Sequence, residues 1–215
     1  MKQGLIFDLD GTLVDSLQGI AASLNHALAA CGLPTHSPEV VQGFIGNGTR
    51  ILVQRAASAD ADETLIDALE QAFKSDYDVT WPSGTLAYSG ITELLEALQN
   101  RGYPLAVLSN KPHPFTTTMV SQLFPGIRFA TVLGQRAGIP HKPDPAGALE
   151  IAHTLGNAPE CCTVIGDSTM DIETAHNARM HAIAVTWGFH DRERLVAAGA
   201  DQVVEHTDQL LALFP

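Results

Sequence analysis

The apolar positions of the chain change period twice. Leu5-Ile6-Phe7 is a short continuous apolar run, followed by Asp8-Leu9-Asp10-Gly11-Thr12. A run closed by a turn predicts a strand buried on both faces of a parallel sheet, here Leu5 to Asp10. The period then becomes helical. Leu17, Ile20, Ala21, Leu24, Leu28 and Cys31 recur at three- and four-residue steps, and Gly32 stops them. Ser37-Pro38-Glu39 reads as the cap and first turn of a second helix, which Gly46-Asn47-Gly48 breaks. Ile51, Leu52 and Ala56 mark a third helix; Leu65, Ile66, Leu69 and Phe73 mark a fourth. No strand pattern occurs between Ser16 and about Pro82.

From Ser89 onward helices and strands alternate. Ile91 to Leu98 is helical and stops near Gly102, and Leu105 to Leu108 is a strand ending at Ser109-Asn110. A helix over Phe115 to Leu123 and a strand over Phe129 to Leu133 follow. Asp144-Pro145 caps a helix that stops at Gly156, and the strand Cys162 to Ile165 ends at Gly166-Asp167. A helix from Met170 to Ala178, strands Ala182–Thr186 and Gln202–Val204, and helices Arg192–Ala198 and Leu210–Phe214 complete the pattern. This alternation predicts an α/β fold with a doubly wound, Rossmann-like parallel sheet. The expected core is residues 1–15 and 85–215, with an all-helical cap inserted over 16–84.

With 45% hydrophobic and 17% charged residues, the 215-residue chain can bury a core. Its net charge of −12 argues against nucleic acid and anionic membranes as partners. The three cysteines, Cys31, Cys161 and Cys162, suit neither a disulfide framework nor a zinc site. The first apolar run is too short for a secretory leader and carries two acids. No stretch is long and apolar enough to span a membrane. A soluble cytoplasmic protein, monomer or homodimer, is expected.

Candidate chemistry collects at the predicted strand ends, where open α/β sheets bind ligands. Asp8 and Asp10, two apart on a strand, would point to the same side. Such close carboxylates repel, and a divalent cation or a division of catalytic labour would offset this. Gly11 permits a sharp turn, and Thr12 adds a hydroxyl. Ser109-Asn110 offers a hydroxyl and backbone N–H groups to a phosphate oxygen, although the pair also suits an ordinary turn. Lys142 lies in the proline-stiffened stretch Gly138 to Pro145 and could neutralise both the acids and a phosphoryl group. Asp167 stands at a strand tip. Asp171, four residues on, fits the same site or serves as an N-terminal helix acid. These hard oxygen groups point to Mg²⁺ rather than zinc. His113, His141 and His176 lie near these loops without metal-site spacing, and Trp81 and Trp187 read as packing residues.

The stretch Phe7 to Ser16, with Ser109, Lys142 and Gly166-Asp167-Ser168-Thr169-Met170-Asp171 in this order, resembles the haloacid-dehalogenase-like phosphatases over essentially the whole chain. The resemblance implies Asp8 as nucleophile and Asp10 as general acid and base. It implies Thr12, Ser109, Asn110 and Lys142 around the phosphoryl group. It places Mg²⁺ on Asp8, the main-chain carbonyl of Asp10, and Asp167, with Asp171 nearby. Asp10 argues for phosphate chemistry, since the dehalogenase members lack an acid there. Phe44 to Leu52 resembles the cap loop of phosphoglycolate phosphatases, which implies that Gly46, Asn47, Gly48 and Arg50 meet the substrate. The same residues also fit a helix-breaking turn with a surface arginine. Ser109-Asn110-Lys111-Pro112 is likewise similar to the second motif of that family, whereas Tyr88-Ser89-Gly90 departs where relatives often carry Pro before Gly. The expected substrate is a small phosphorylated metabolite, 2-phosphoglycolate first. A sugar-phosphate phosphatase, a β-phosphoglucomutase-like phosphomutase and a non-catalytic phosphoryl-binding scaffold are the alternatives.

Overall fold

β1 (Gly4–Phe7) is buried along its whole length in the computed structural model, which describes residues 2–215. Its neighbours explain why. The chain continues through β2 (Val14–Asp15) and the helices α1 (Leu17–Ala30), α2 (Pro38–Gln42), α3 (Thr49–Ala56) and α4 (Glu63–Thr80). It then forms β3 (Leu86–Ala87), α5 (Ile91–Asn100), β4 (Leu105–Pro112), α6 (His113–Leu123), β5 (Phe129–Gln135) and α7 (Ala146–Leu155). The last elements are β6 (Cys162–Gly166), α8 (Thr169–Asn177), β7 (His181–Val185), α9 (Arg192–Ala197), β8 (Gln202–Val204) and α10 (Thr207–Ala212). Six strands make one sheet in the order β5-β4-β1-β6-β7-β8, every pair parallel.

β1 therefore sits inside the sheet, between β4 and β6. Leu5 aligns with Leu105 on one side and Thr163 on the other; Phe7 aligns with Val107 and Ile165. The strand order reverses direction at β1, the place where open α/β sheets form a crevice beyond their carboxyl ends. Ile6 packs in a cluster with Ala106 and Val164 of the neighbouring strands, Ala148 and Ile151 of α7, and Ile172 and Ala175 of α8. The small residues on α7 and α8 let those helices lie close to the strands.

Two compact units result, one of Met1–Val14 with Ala87–Pro215, the other Asp15–Leu86. The division falls at β2 and β3, strands of two residues that no periodic pattern can announce. The second unit holds α1 to α4. Leu24 and Leu28 of α1 and Leu69, Phe73 and Tyr77 of α4 are buried, and the last two rings stack at 5.3 Å. Asp62 caps α4 by accepting the Leu65 N–H at 2.8 Å. Among the described residues no helix is long and apolar enough to cross a membrane.

The first strand is shorter than its pattern predicts. It ends at Phe7, because Leu13 and Val14 donate back to the Leu9 carbonyl and Gly11 donates to Val14, closing a turn. Asp8 and Asp10 thus do not share a strand face. β4 is longer than predicted: after a register shift it pairs again at Pro112 with Gln135, so Ser109 to Pro112 remain in the sheet. Ile6→Ala is expected to cost about 2–5 kcal/mol, seen as a lower urea midpoint for unfolding of the sheet unit.

Candidate active site

Three adjacent strands deliver the polar residues. Asp8 follows β1, and its N–H still donates to Ile165 of β6 at 2.9 Å. Ser109, Asn110 and Lys111 lie in β4, and Asp167 follows β6. All are buried, as are Thr12, Lys142 and Asp171. Burial of so many polar groups is tolerable only if each has a partner.

Lys142 is the hub. Its Nζ stands 2.6 Å from Asp171 Oδ1 and 2.8 Å from Asp8 Oδ1, and it donates to the Leu108 carbonyl at 3.2 Å. These three contacts match the three N–H groups of the ammonium. Asn110 fixes the lysine's backbone from both sides: its Nδ2 donates to the Lys142 carbonyl at 3.1 Å, and its Oδ1 accepts the Lys142 N–H at 2.8 Å.

The remaining acids are held just as firmly. Thr12 Oγ1 donates to Asp167 Oδ1 at 2.9 Å, and the Phe189 N–H donates to Oδ2 at 2.8 Å. Asp171 Oδ2 accepts from Ser168 N and Oγ at 3.0 and 2.6 Å, a capping box at the start of α8. Asp171 is thus both helix acid and partner of Lys142. Lys111, which sequence reasoning did not single out as a site residue, grips both oxygens of Asp10 at 3.0 and 3.1 Å. Its signals were its place directly after Ser109-Asn110 at the end of an apolar run and the likeness of Ser109-Asn110-Lys111-Pro112 to the family's second motif.

One ligand oxygen each from Asp8, Asp167 and Asp171 lie within 4.8 Å of one another. Three carboxylates against one ammonium leave a formal charge of −2, with the Asp10–Lys111 pair balanced. Burial pushes the Asp8 carboxyl up to about 7; Lys142 opposes this and Asp171 adds to it. Burial, then the charges of Asp171 and Asp8, raise Asp167 well above its ordinary value. Burial opposes the charge on Lys142, but Asp171 and Asp8 outweigh it and keep the ammonium firmly protonated. Hard oxygens carrying surplus negative charge are a donor set for an oxygen-seeking divalent cation.

Gly46, Asn47, Gly48 and Arg50 lie in the helical unit. Arg50 is tied to Glu63, to Asp67 at 2.7 Å and to Glu70 at 3.0 Å. Asn47 Oδ1 accepts from Arg55 at 2.8 Å. Gly48 precedes α3 with φ of 85°. The structure therefore gives Arg50 three internal carboxylates. Of the histidines, His113 Nδ1 accepts the Gly134 N–H at 3.2 Å, while His141 and His176 are exposed. Trp187 makes a polar contact that its reading as a packing residue did not include: Nε1 donates to the Thr12 carbonyl at 3.0 Å.

Gly166 makes the arrangement sterically feasible. A Cβ there would overlap the Asp171 carboxylate. Gly166→Ala is expected to cost about 1–3 kcal/mol in chemical unfolding. Gly126→Ala, where a Cβ meets nothing within 4 Å, should stay within about 0.5 kcal/mol of the unaltered protein.

Residues 5–185 match the family described as haloacid dehalogenase-like hydrolase. A phosphoglycolate phosphatase of Pectobacterium atrosepticum is 33% identical over 214 residues, 98% of this chain and 92% of its own. The phosphoglycolate phosphatase of Escherichia coli K12 is 32% identical over 229 residues, covering 97% of this chain and 91% of the relative. A haloacid dehalogenase-like hydrolase from Streptococcus pneumoniae superposes with a TM-score of 0.90 at 26% identity, over 100% of this chain and 99% of that one. The carboxylates, the lysine and these likenesses agree, and the chain belongs to the haloacid dehalogenase-like hydrolases as a phosphoric monoester hydrolase of the phosphoglycolate phosphatase-like family.

Proposed function

We propose that this phosphatase is Mg²⁺-dependent and hydrolyses a small phosphate monoester, first of all 2-phosphoglycolate, through an aspartyl phosphate on Asp8. The observation that carries the reading is Asp8 at the carboxyl end of β1, with the buried ammonium of Lys142 2.8 Å away and the carboxylates of Asp167 and Asp171 beside it. A carboxylate nucleophile must be ionised, and the charge of Lys142 favours that form against the effect of burial.

In the first step a carboxylate oxygen of Asp8 attacks phosphorus and the bond to the leaving oxygen breaks, while Asp10, which enters the step carrying a proton taken up from solvent, gives that proton to the leaving oxygen. In the second, Asp10 takes a proton from water, the water oxygen attacks phosphorus, and the Asp8–phosphorus bond breaks to release inorganic phosphate. Lys111 holds Asp10 in place between these transfers. Ser109 and Lys142 would hold phosphoryl oxygens. Thr12 and Asn110 contribute through Asp167 and the Lys142 backbone, the groups they contact. Asp8, Asp167, Asp171 and the Asp10 carbonyl would hold Mg²⁺. When bound, the ion supplies positive charge that neutralises and aligns the phosphoryl oxygens.

We assign substrate choice to the helical unit, and the likeness to phosphoglycolate phosphatases supports 2-phosphoglycolate. Arg50, surrounded by three carboxylates, fits a tie between α3 and α4 better than a receptor for a further carboxylate.

Phosphate release from a panel of esters, with and without Mg²⁺, tests the reading. Mg²⁺-dependent turnover favouring 2-phosphoglycolate is expected, and Asp8→Asn should lower it about a thousandfold or more while the fold persists. A sugar phosphate as best substrate would overturn the substrate; an isomerised product would indicate a mutase; full activity of Asp8→Asn would overturn the mechanism.

The raised carboxyl of Asp8 gives the cation a pH signature. In the unfolded chain Asp8 loses its proton near 3.8, in the cation-free fold near 7. The fold thus loses stability as pH rises across that window, because the buried anion is left without enough counter-charge. A cation restores it, and below about 7 protons compete for the same oxygen. The Mg²⁺-induced rise in Tm is expected to be larger at pH 8 than at pH 6, measured by thermal unfolding.

A further inference from the structure

Four residues after β7 touch three separate parts of the site. Trp187 Nε1 donates to the Thr12 carbonyl in the loop after β1 at 3.0 Å. The Phe189 N–H donates to Asp167 at the tip of β6 at 2.8 Å. His190 Nδ1 accepts the N–H of Thr169, the first residue of α8, at 3.2 Å. Gly188 runs between these anchors, and a Cβ on it would fall on the Gly11 carbonyl and on the Asp167 side chain. The segment therefore passes as close to the acids as a backbone can.

The three anchor points belong to the three pieces that carry the carboxylates. Asp8, Asp167 and Asp171 repel one another, and among the described residues Lys142 alone is paired with both Asp8 and Asp171. Without a tie, the start of α8 could relieve the repulsion by moving outward. The first N–H groups of a helix need partners from outside it. Ser168 and Asp171 satisfy each other, and the Thr169 N–H is taken by His190. For Nδ1 to accept, the imidazole must be neutral with its proton on Nε2. Burial, followed by the charge of Arg194, lowers the His190 pKa and agrees with that form.

We propose that Trp187–His190 is a strap that sets the spacing of the carboxylates. His190 is its positioning residue, acting through the Thr169 N–H on Asp171. The proposal rests on the phosphatase reading for the identity of the cation, but its test does not require turnover.

His190→Asn keeps an acceptor close to the Nδ1 position, and His190→Leu keeps bulk without one. The readout is the Mg²⁺ concentration that gives half of the full Mg²⁺-induced rise in Tm, with no substrate present. His190→Leu is expected to need about tenfold more Mg²⁺, and His190→Asn to stay within about threefold of the unaltered protein. Trp187→Phe, which keeps a ring but removes the indole donor, should shift in the same direction and serves if His190→Leu does not fold. Unchanged Mg²⁺ titrations in the folded variants, failure of His190→Asn to restore binding, or no Mg²⁺-dependent rise in the unaltered protein would overturn the strap. If the expected order of Mg²⁺ binding appears while no phosphate ester is hydrolysed, the strap stands and the phosphatase substrate reading falls.

Discussion

Repulsion between buried carboxylates is the constraint on which the site depends. Asp8, Asp167 and Asp171 are each nearly inaccessible to solvent, and water cannot screen them. The protein answers with one ammonium, Lys142, and a set of neutral donors from Thr12, Ser168 and Phe189. The answer is incomplete, as the raised carboxyls of Asp8 and Asp167 show. Incomplete compensation is what a site needs if a cation and a phosphoryl group are to complete it. A fully neutralised cluster would be more stable and would bind neither.

The sheet serves this electrostatic arrangement by rigidity. β1 is flanked by β4 and β6, so Asp8, Ser109 and Asp167 emerge from strands that cannot move independently. Asn110 extends the same control to a loop by bonding both backbone groups of Lys142. The residues around Asp8 are thus oriented by paired strands and by short hydrogen bonds to fixed groups, which hold geometry more tightly than flexible side chains alone.

Much of this was legible in the residues themselves. Asp8, Asp10, Lys142, Asp167 and Asp171 stand out in the sequence because acids and a lysine beside apolar strand ends are costly without a purpose. The alternation after Ser89 revealed the strands because it has a period. Lys111 went unassigned because pairing with Asp10 needs two distant strand ends brought side by side. The contacts of Trp187, Phe189 and His190 were hidden for the same reason, since bends after β7 carry no periodic signal. Arg50 shows the converse. Its surroundings in sequence suggest a ligand contact, and they do not announce its ion pairs with Glu63, Asp67 and Glu70 of the next helix. Gly166 can be interpreted only once Asp171 is seen opposite it.

The position of β1 has a further consequence for synthesis of the chain. Leu5 leaves the ribosome early, yet its partners Leu105 and Thr163 emerge much later. The four helices between them find their contacts among neighbours in sequence. The helical segment can therefore close during translation, while the most apolar strand of the protein waits without a pairing edge. During that interval Leu5-Ile6-Phe7 is a sticky, unpaired segment, and the charges of Asp8 and Asp10 directly after it oppose premature association.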